Sequence, residues 1–263
     1  AAMPARKELR NPLREVGGIE RYERMRRMGC LTRQDLEEIA GSRQALPTLL
    51  VDYQRKGIID RIRRNLYAVL DIESERPVLS RYQIGSRLFS DACISHRSAF
   101  EALGYADRPS NDVYVVTKSR FTDFKYNGVF YRHVDKRVEI SAEWVDGARV
   151  TTLEQTIVDS IHNFEKIAGL EEVVRCILRA PRPDAEKLLL CLERYGNGFL
   201  YQKCGYVLEQ LQEYVDLPKS FYRECREHCP STVRYMAKEA GGLVYSRGWG
   251  IYAPELGGLE ANK

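Results

Sequence analysis

Between Thr32 and Tyr67 the spacing of apolar residues switches from helical to alternating, and that switch constrains the fold more than any other feature of the chain. Leu36, Ile39 and Ala40 share one side of a short helix that opens at Thr32, whose hydroxyl can accept the N–H of Asp35, and stops at Gly41. Ala45, Leu46, Leu49, Leu50 and Tyr53 then recur at helical spacing, and Arg55, Lys56 and Gly57 follow in the order a helix C-terminus favours. Pro47 fits only in or near a first turn, which places the start of this second helix between Ser42 and Leu46. Beyond Gly57, Ile58, Ile59, Ile62, Leu66, Tyr67 and Val69 interleave with Asp60, Arg61, Arg63, Arg64 and Asn65, which predicts a hairpin with its tip near residues 63–65. Asn65 stands where a glycine often tightens such a tip, and asparagine also tolerates a left-handed backbone. A helix over residues 19–28, with Ile19, Tyr22, Met25 and Met28 inward, supplies the third helix of a winged helix-turn-helix.

Positive charge sits on this segment. Residues 1–70 hold 15 Lys and Arg against 9 Asp and Glu, whereas the remainder holds 26 against 28, an asymmetry that suits a polyanionic partner. In a winged domain the second helix enters a DNA major groove while the wing lies along phosphates. Arg43, Gln44 and Thr48, at the start of that helix, are placed for base contacts; Arg33, Arg61, Arg63 and Arg64 are placed for phosphate contacts. The alternative from another class is a winged protein-docking module, in which the charged faces are simply solvated.

The chain has 263 residues, 44% hydrophobic and 30% charged, an ordinary globular composition with room for one large or two ordinary domains. No stretch approaches the run of about 20 apolar residues of a membrane span, and no apolar signal-peptide core precedes the first helix. Seven scattered cysteines predict reduced thiols and a cytoplasmic location. Ala1 and Ala2 before Met3 read as a cloning remnant and residues 1–18 as a flexible basic arm. The winged domain spans residues 19–71, and residues 72–77, charged and ending in Pro77, read as a linker. Residues 78–263 read as a larger mixed domain: helices over 81–89 and 95–103, strands over 113–117, 129–134 and 138–144 with turns at Asn127-Gly128 and Asp146-Gly147, helices over 152–164, 170–178, 185–195, 200–214 and 221–228, and a closing strand over 248–252. Strands followed by helices predict an α+β fold with a small antiparallel sheet.

Three groups of residues could carry chemistry. Asp112 with Asp123 and Lys125 formally matches the two acids and lysine with which some nucleases hold a metal ion and a water, but Asp123 falls in an expected loop. Cys225, His228 and Cys229 share a helical turn but lack a fourth ligand at usable spacing, so they read as a packed helix face. Ser95 and His96 are adjacent, and adjacent side chains on a helix diverge by about 100°. Ser95 therefore reads as a helix cap, not as a nucleophile beside its base. The expectation is a protein without catalytic residues, metal or cofactor.

Several stretches carry a family resemblance. They are Arg61-Ile62-Arg63-Arg64-Asn65-Leu66-Tyr67-Ala68 in the wing; Ile94-Ser95-His96-Arg97-Ser98-Ala99-Phe100-Glu101-Ala102-Leu103-Gly104 leading to Asp112-Val113-Tyr114-Val115; and Thr152-Leu153-Glu154-Gln155-Thr156-Ile157-Val158-Asp159-Ser160, followed by Leu192-Glu193-Arg194-Tyr195-Gly196 and Tyr201-Gln202-Lys203. In that order they resemble the AbiE-type (AbiEi) antitoxins of type IV toxin–antitoxin systems, which act in abortive infection by phage. The resemblance implies an N-terminal winged domain that binds double-stranded DNA at its own promoter, with inverted repeats as the expected site, and represses its operon. It also implies a C-terminal domain that counters a nucleotidyltransferase-like toxin without a stable complex. No catalytic residue is carried over.

Overall fold

The computed structural model describes residues 18–167, 169–237 and 242–256. The expected N-terminal arm thus lies, apart from Gly18, outside the described residues.

The N-terminal unit runs α1 (Gly18–Met28), β1 (Cys30–Thr32), α2 (Arg33–Ala40), α3 (Leu46–Arg55), β2 (Ile59–Arg63) and β3 (Leu66–Val69). Its three strands form an antiparallel sheet in the order β1-β3-β2, so the wing hairpin has a third strand that the sequence reading missed. One face of this sheet, with Leu31, Ile59, Tyr67 and Val69, packs on Met25, Leu36, Ile39 and Leu46 of the helices. Met25 and Met28 point inward as expected, whereas Ile19 is 83% exposed. The opposite face, with Cys30, Ile62, Leu66 and Ala68, enters the core of the following unit beside Ile84, Ile94, Val113, Val115 and Tyr131. Two-sided burial explains why every residue of β3 is buried: a strand covered on both faces reads as an unbroken apolar run.

Residues 72–77, expected as a linker, close into a hydrogen-bonded turn. Asp71 N–H donates to the Arg76 carbonyl at 2.8 Å, Glu75 N–H to the Asp71 carbonyl at 2.8 Å, and Val78 N–H to the Val69 carbonyl at 3.0 Å. The segment is a closed turn, pinned to α1 by Tyr22 Oη donating to the Leu70 carbonyl at 2.8 Å and by Arg26 on Asp71 at 3.0 Å. Gly29, at φ 69, lies where a Cβ would run into Leu79, so the two units approach without room for a side chain.

A short helix, α4 (Arg81–Gly85), then leads through β4 (Cys93–Ile94) and α5 (His96–Ala102) into β5 (Asp112–Thr117), β6 (Phe124–Tyr126), β7 (Val129–Asp135), β8 (Ala142–Val145) and β9 (Ala148–Thr151). These strands form a six-stranded sheet in the order β6-β7-β5-β4-β9-β8. The hairpins β6–β7 and β8–β9 and the β4–β5 pair are antiparallel, but β5–β7 and β4–β9 are parallel, so this sheet is mixed. Both expected hairpin turns are present, with positive φ at Asn127, Gly128, Asp146 and Gly147. The helix expected over 81–89 stops at Gly85, and the strand expected over 138–144 begins only at Ala142.

Helices α6 (Leu153–Ile167), α7 (Leu170–Arg179), α8 (Ala185–Tyr195), α9 (Gly198–Gln210), α10 (Gln212–Val215) and α11 (Lys219–Glu227) pack together around Ile157, Ile161, Val174, Leu192, Leu200 and Phe221. A break at Leu211 divides the single helix expected over 200–214. The last sheet, β10 (Arg234–Tyr235), β11 (Leu243–Ser246) and β12 (Ile251–Pro254), runs in the order β10-β12-β11 and covers one end of the helices with Trp249 and Ile251. The fold is α+β, as the order of elements predicts.

Because β2 and β3 belong to two cores at once, Ile62→Ala should cost about 2–5 kcal/mol and lower a single cooperative melting transition of the whole chain. Two separable transitions, one of them unmoved by the substitution, would contradict the shared core.

Candidate nucleic-acid interface

Local chemistry fixes the helix pair. Thr32 N–H donates to Asp35 Oδ2 at 2.7 Å, and the Thr32 hydroxyl accepts from Asp35 N–H at 3.3 Å, a capping box that starts α2. Gly41 ends the helix in the left-handed region at φ 84, its N–H reaching the Glu37 carbonyl at 3.0 Å. Ser42 Oγ accepts from Ala45 N–H at 3.2 Å across the turn, and α3 begins at Leu46 with Pro47 in its first turn. Leu46, Leu49, Leu50 and Tyr53 face the winged core, which leaves Pro47, Thr48, Val51, Gln54 and Arg55 toward solvent.

Arg43 and Gln44 are exposed in the turn and Thr48 on the first turn of α3. Val51, 68% exposed one turn further along the same face, was missed by the sequence reading. Its signal was present: it follows Thr48 at helical spacing and lies opposite the inward leucines. Arg55 and Lys56 both reach Asp52, at 3.2 and 2.7 Å, and the hydrogen bond from Lys56, with help from Arg55, holds the Asp52 carboxyl below the usual carboxylate range. Arg33 is exposed at the start of α2, where Glu37 takes its Nε at 3.3 Å.

The wing divides its arginines. A register shift between Arg61 and Arg63 sends Ile62 into the shared core, and Asn65 turns the tip at φ 64, the left-handed conformation its amide tolerates. Arg61 and Arg64 are exposed, and the Asn65 carbonyl accepts from Arg33 N–H at 3.2 Å, tying the wing tip to α2. Arg63 instead points inward. Its guanidinium carbon lies 4.8 Å from the ring centre of Phe89, 5.7 Å from that of Phe121 and 5.9 Å from that of Phe124. Burial lowers its pKa, and its Nη1 makes no hydrogen bond. Arg63, expected on phosphates, therefore serves as a cation–π anchor of the wing on the C-terminal unit.

The rival sites have other partners. Asp112 and Asp123 converge on Arg132, at 2.8 and 3.4 Å, so a guanidinium stands where a metal ion would bridge them, while Lys125 Nζ lies 5.3 Å from the Phe130 ring centre. Among the described residues no group of three His, Cys, Asp or Glu side chains is placed to hold a metal ion. Cys229 Sγ lies 3.2 Å from the Cys225 carbonyl, and His228 stacks on Tyr201 at 4.4 Å. Ser95 does not cap with its side chain: His96 sits at φ 53, outside the helical region, and its Nδ1 lies 2.8 Å from Ser95 Oγ. That pairing, which helical geometry excludes, is possible because His96 is not helical. The Ser95 side chain is buried.

The N-terminal unit is a winged helix-turn-helix of the kind that docks a helix in a DNA groove. Residues 19–70 match the family described as transcriptional regulator, AbiEi antitoxin. The fold of nearly the whole chain is also similar to the RV2827C protein from Mycobacterium tuberculosis, with a TM-score of 0.63 at 14% identity over 88% of each chain. No curated protein matches the chain. No helix among the described residues is long and apolar enough to cross a membrane.

Replacing Arg63 by Ala should destabilise the fold by about 1–2 kcal/mol in denaturant titrations, whereas Arg64→Ala should leave stability within about 0.5 kcal/mol. Equal effects of the two substitutions would contradict the anchoring role.

Proposed function

We propose that this protein is a DNA-binding autorepressor of its own operon and the antitoxin of a type IV toxin–antitoxin pair, acting in the cytoplasm against a nucleotidyltransferase-like toxin without holding it in a stable complex. The observation that carries the DNA-binding half is the solvent-facing series of Arg43, Gln44, Thr48 and Val51, set beside a wing tip that presents Arg61 and Arg64. Arg43 has the forked donors that read guanine and Gln44 the donor and acceptor that read adenine, and the methyl groups of Thr48 and Val51 suit the thymine methyl. Arg33, Arg61 and Arg64 neutralise phosphates and fix orientation without reading sequence. A promoter with inverted repeats would be occupied by a pair of copies. The antitoxin half rests on the family of residues 19–70.

The test is a gel shift on the protein's own upstream region against a scrambled fragment of equal length, at several salt concentrations. The upstream fragment should be retarded at lower protein concentration, and added salt should weaken binding to both. Arg61→Ala with Arg64→Ala should weaken both fragments alike and reduce the slope of log affinity against log salt by about 2. Equal retardation of the two fragments, or none, would turn the reading toward a winged domain that docks protein.

A further inference from the structure

A cleft of about 880 Å³ between β7 and α6, in the C-terminal unit, is lined by as many carboxylates as Lys and Arg side chains and so selects no ligand charge. Charge on the last sheet is one-sided. In its central strand, β12, alternation sends Ile251 and Ala253 into the helical core and Tyr252 to the opposite face. The register sets Tyr235 of β10 and Tyr245 of β11 directly beside Tyr252, so three tyrosines cross the sheet in one row. The Tyr235 and Tyr252 rings stack at 4.7 Å with their planes 7° apart, and the Tyr245 ring lies 5.0 Å from Tyr252 on its other side. Tyr235 is 57% exposed and Tyr245 44%.

The row is held from behind. Gln202 Nε2 of α9 donates to the Trp249 and Gly250 carbonyls at 2.6 and 3.1 Å, and Tyr206 Oη donates to the Pro254 carbonyl at 2.9 Å. Trp249 Nε1 donates to Glu209 Oε2 at 2.6 Å. Packing of the core accounts for Trp249 and Ile251, but not for a tyrosine row that faces away from it. Residues 234–237 and 242–254 contain two charged side chains, Arg234 and Arg247, both exposed, and no Asp or Glu. Arg234 pairs with Ile251, and Arg247 follows Ser246, whose partner is also Ile251, so both arginines stand at the same end of the row. Glu255 follows Pro254 at the opposite end.

We propose that this face binds single-stranded RNA, with a base stacked on Tyr235 and the flanking phosphates against Arg234 and Arg247. One face of the Tyr235 ring is taken by Tyr252; β10 is the edge of the sheet, so no strand stands beside the other, and a base there continues the stack. Exposed aromatic faces beside cations, with no carboxylate among them, suit a partner that carries both flat rings and negative charge. Unpaired bases offer such faces, whereas a duplex keeps them in its own stack. The tyrosine hydroxyls at the ring tips can donate and accept, as the ribose 2′-hydroxyl does, which favours RNA over DNA. Binding here does not depend on the DNA-binding reading, because none of these residues belongs to the winged unit.

Fluorescence anisotropy of the full chain with labelled oligouridylate and oligoadenylate of about ten nucleotides, and with DNA strands of the same sequences, tests this. All titrations are repeated in the Arg61→Ala, Arg64→Ala background, which weakens any contribution of the winged unit. At least one RNA should bind saturably and more tightly than its DNA counterpart in both backgrounds. Tyr235→Ala should weaken it about tenfold, the scale of one lost stacked base, and Tyr235→Phe, which keeps the ring, should restore most of the loss. Arg234→Ala with Arg247→Ala should reduce the slope of log affinity against log salt by about 1.4. These positions are exposed, and an unchanged melting temperature shows that each variant is folded. Retardation of the upstream duplex should be the same for Tyr235→Ala as for the unsubstituted chain, so a failure of promoter binding leaves this test standing. Absence of saturable RNA binding at submillimolar strand, binding that survives Tyr235→Ala and falls with the wing variant, or equal binding of DNA would overturn the proposal. Self-association that Tyr235→Ala abolishes, without RNA binding, would overturn it in favour of a contact between copies of the chain.

Discussion

Burial of the wing sheet on both faces is the constraint on which the rest depends. A free wing hairpin would show alternating burial, yet β3 is covered throughout because Leu31, Tyr67 and Val69 close the winged core while Cys30, Leu66 and Ala68 close the next. Burial of these side chains is worth about 1.5–3 kcal/mol each, so neither unit gives up the shared sheet cheaply. Hydrogen bonds across residues 69–78 make the connection a turn, and Leu79 against Gly29 removes the slack a hinge would need.

The same sheet decides which charges are available. A single register shift in β2 separates three neighbouring residues: Ile62 is buried, Arg63 is enclosed by Phe89, Phe121 and Phe124, and Arg64 remains in solvent. Phe121 also touches the His133 ring edge-on at 5.1 Å, and His133 lines the wall of the C-terminal cleft. A continuous series of packed side chains therefore runs from the cleft to the wing. Such contiguity is a route by which a ligand could bias the wing only if the series has two arrangements.

What was legible in the sequence was local. Thr32 with Asp35, Gly41, Pro47 and Asn65 each carry their own conformational reason, and the helix pair and wing tip fall where those residues put them. The long helices α7 and α8 were readable from periodicity, and the Asn-Gly and Asp-Gly turns from their left-handed preference. What was not legible depends on distant partners. Strands β1 and β4 have three and two residues, too few to show a period, and exist because β3, β5 and β9 lie alongside. Arg63 looks like its neighbours until three phenylalanines from residues 89–124 surround it. His96 reads as the first residue of a helix, yet it has a positive φ and its ring lies between Ser95 and Asn163. The polar cleft was invisible because its members come from β5, β7, α5, α6, α8 and α9.

The central claim is that DNA meets α3 and the exposed side of the wing while the rest of the chain serves as their support. Amide hydrogen exchange of the full chain, with and without its upstream DNA, tests this most directly. Slowed exchange confined to residues 42–55 and 60–66, with residues 153–167 unchanged, is the outcome the account requires. Protection by DNA confined to the C-terminal unit, with those two segments unaffected, would contradict it.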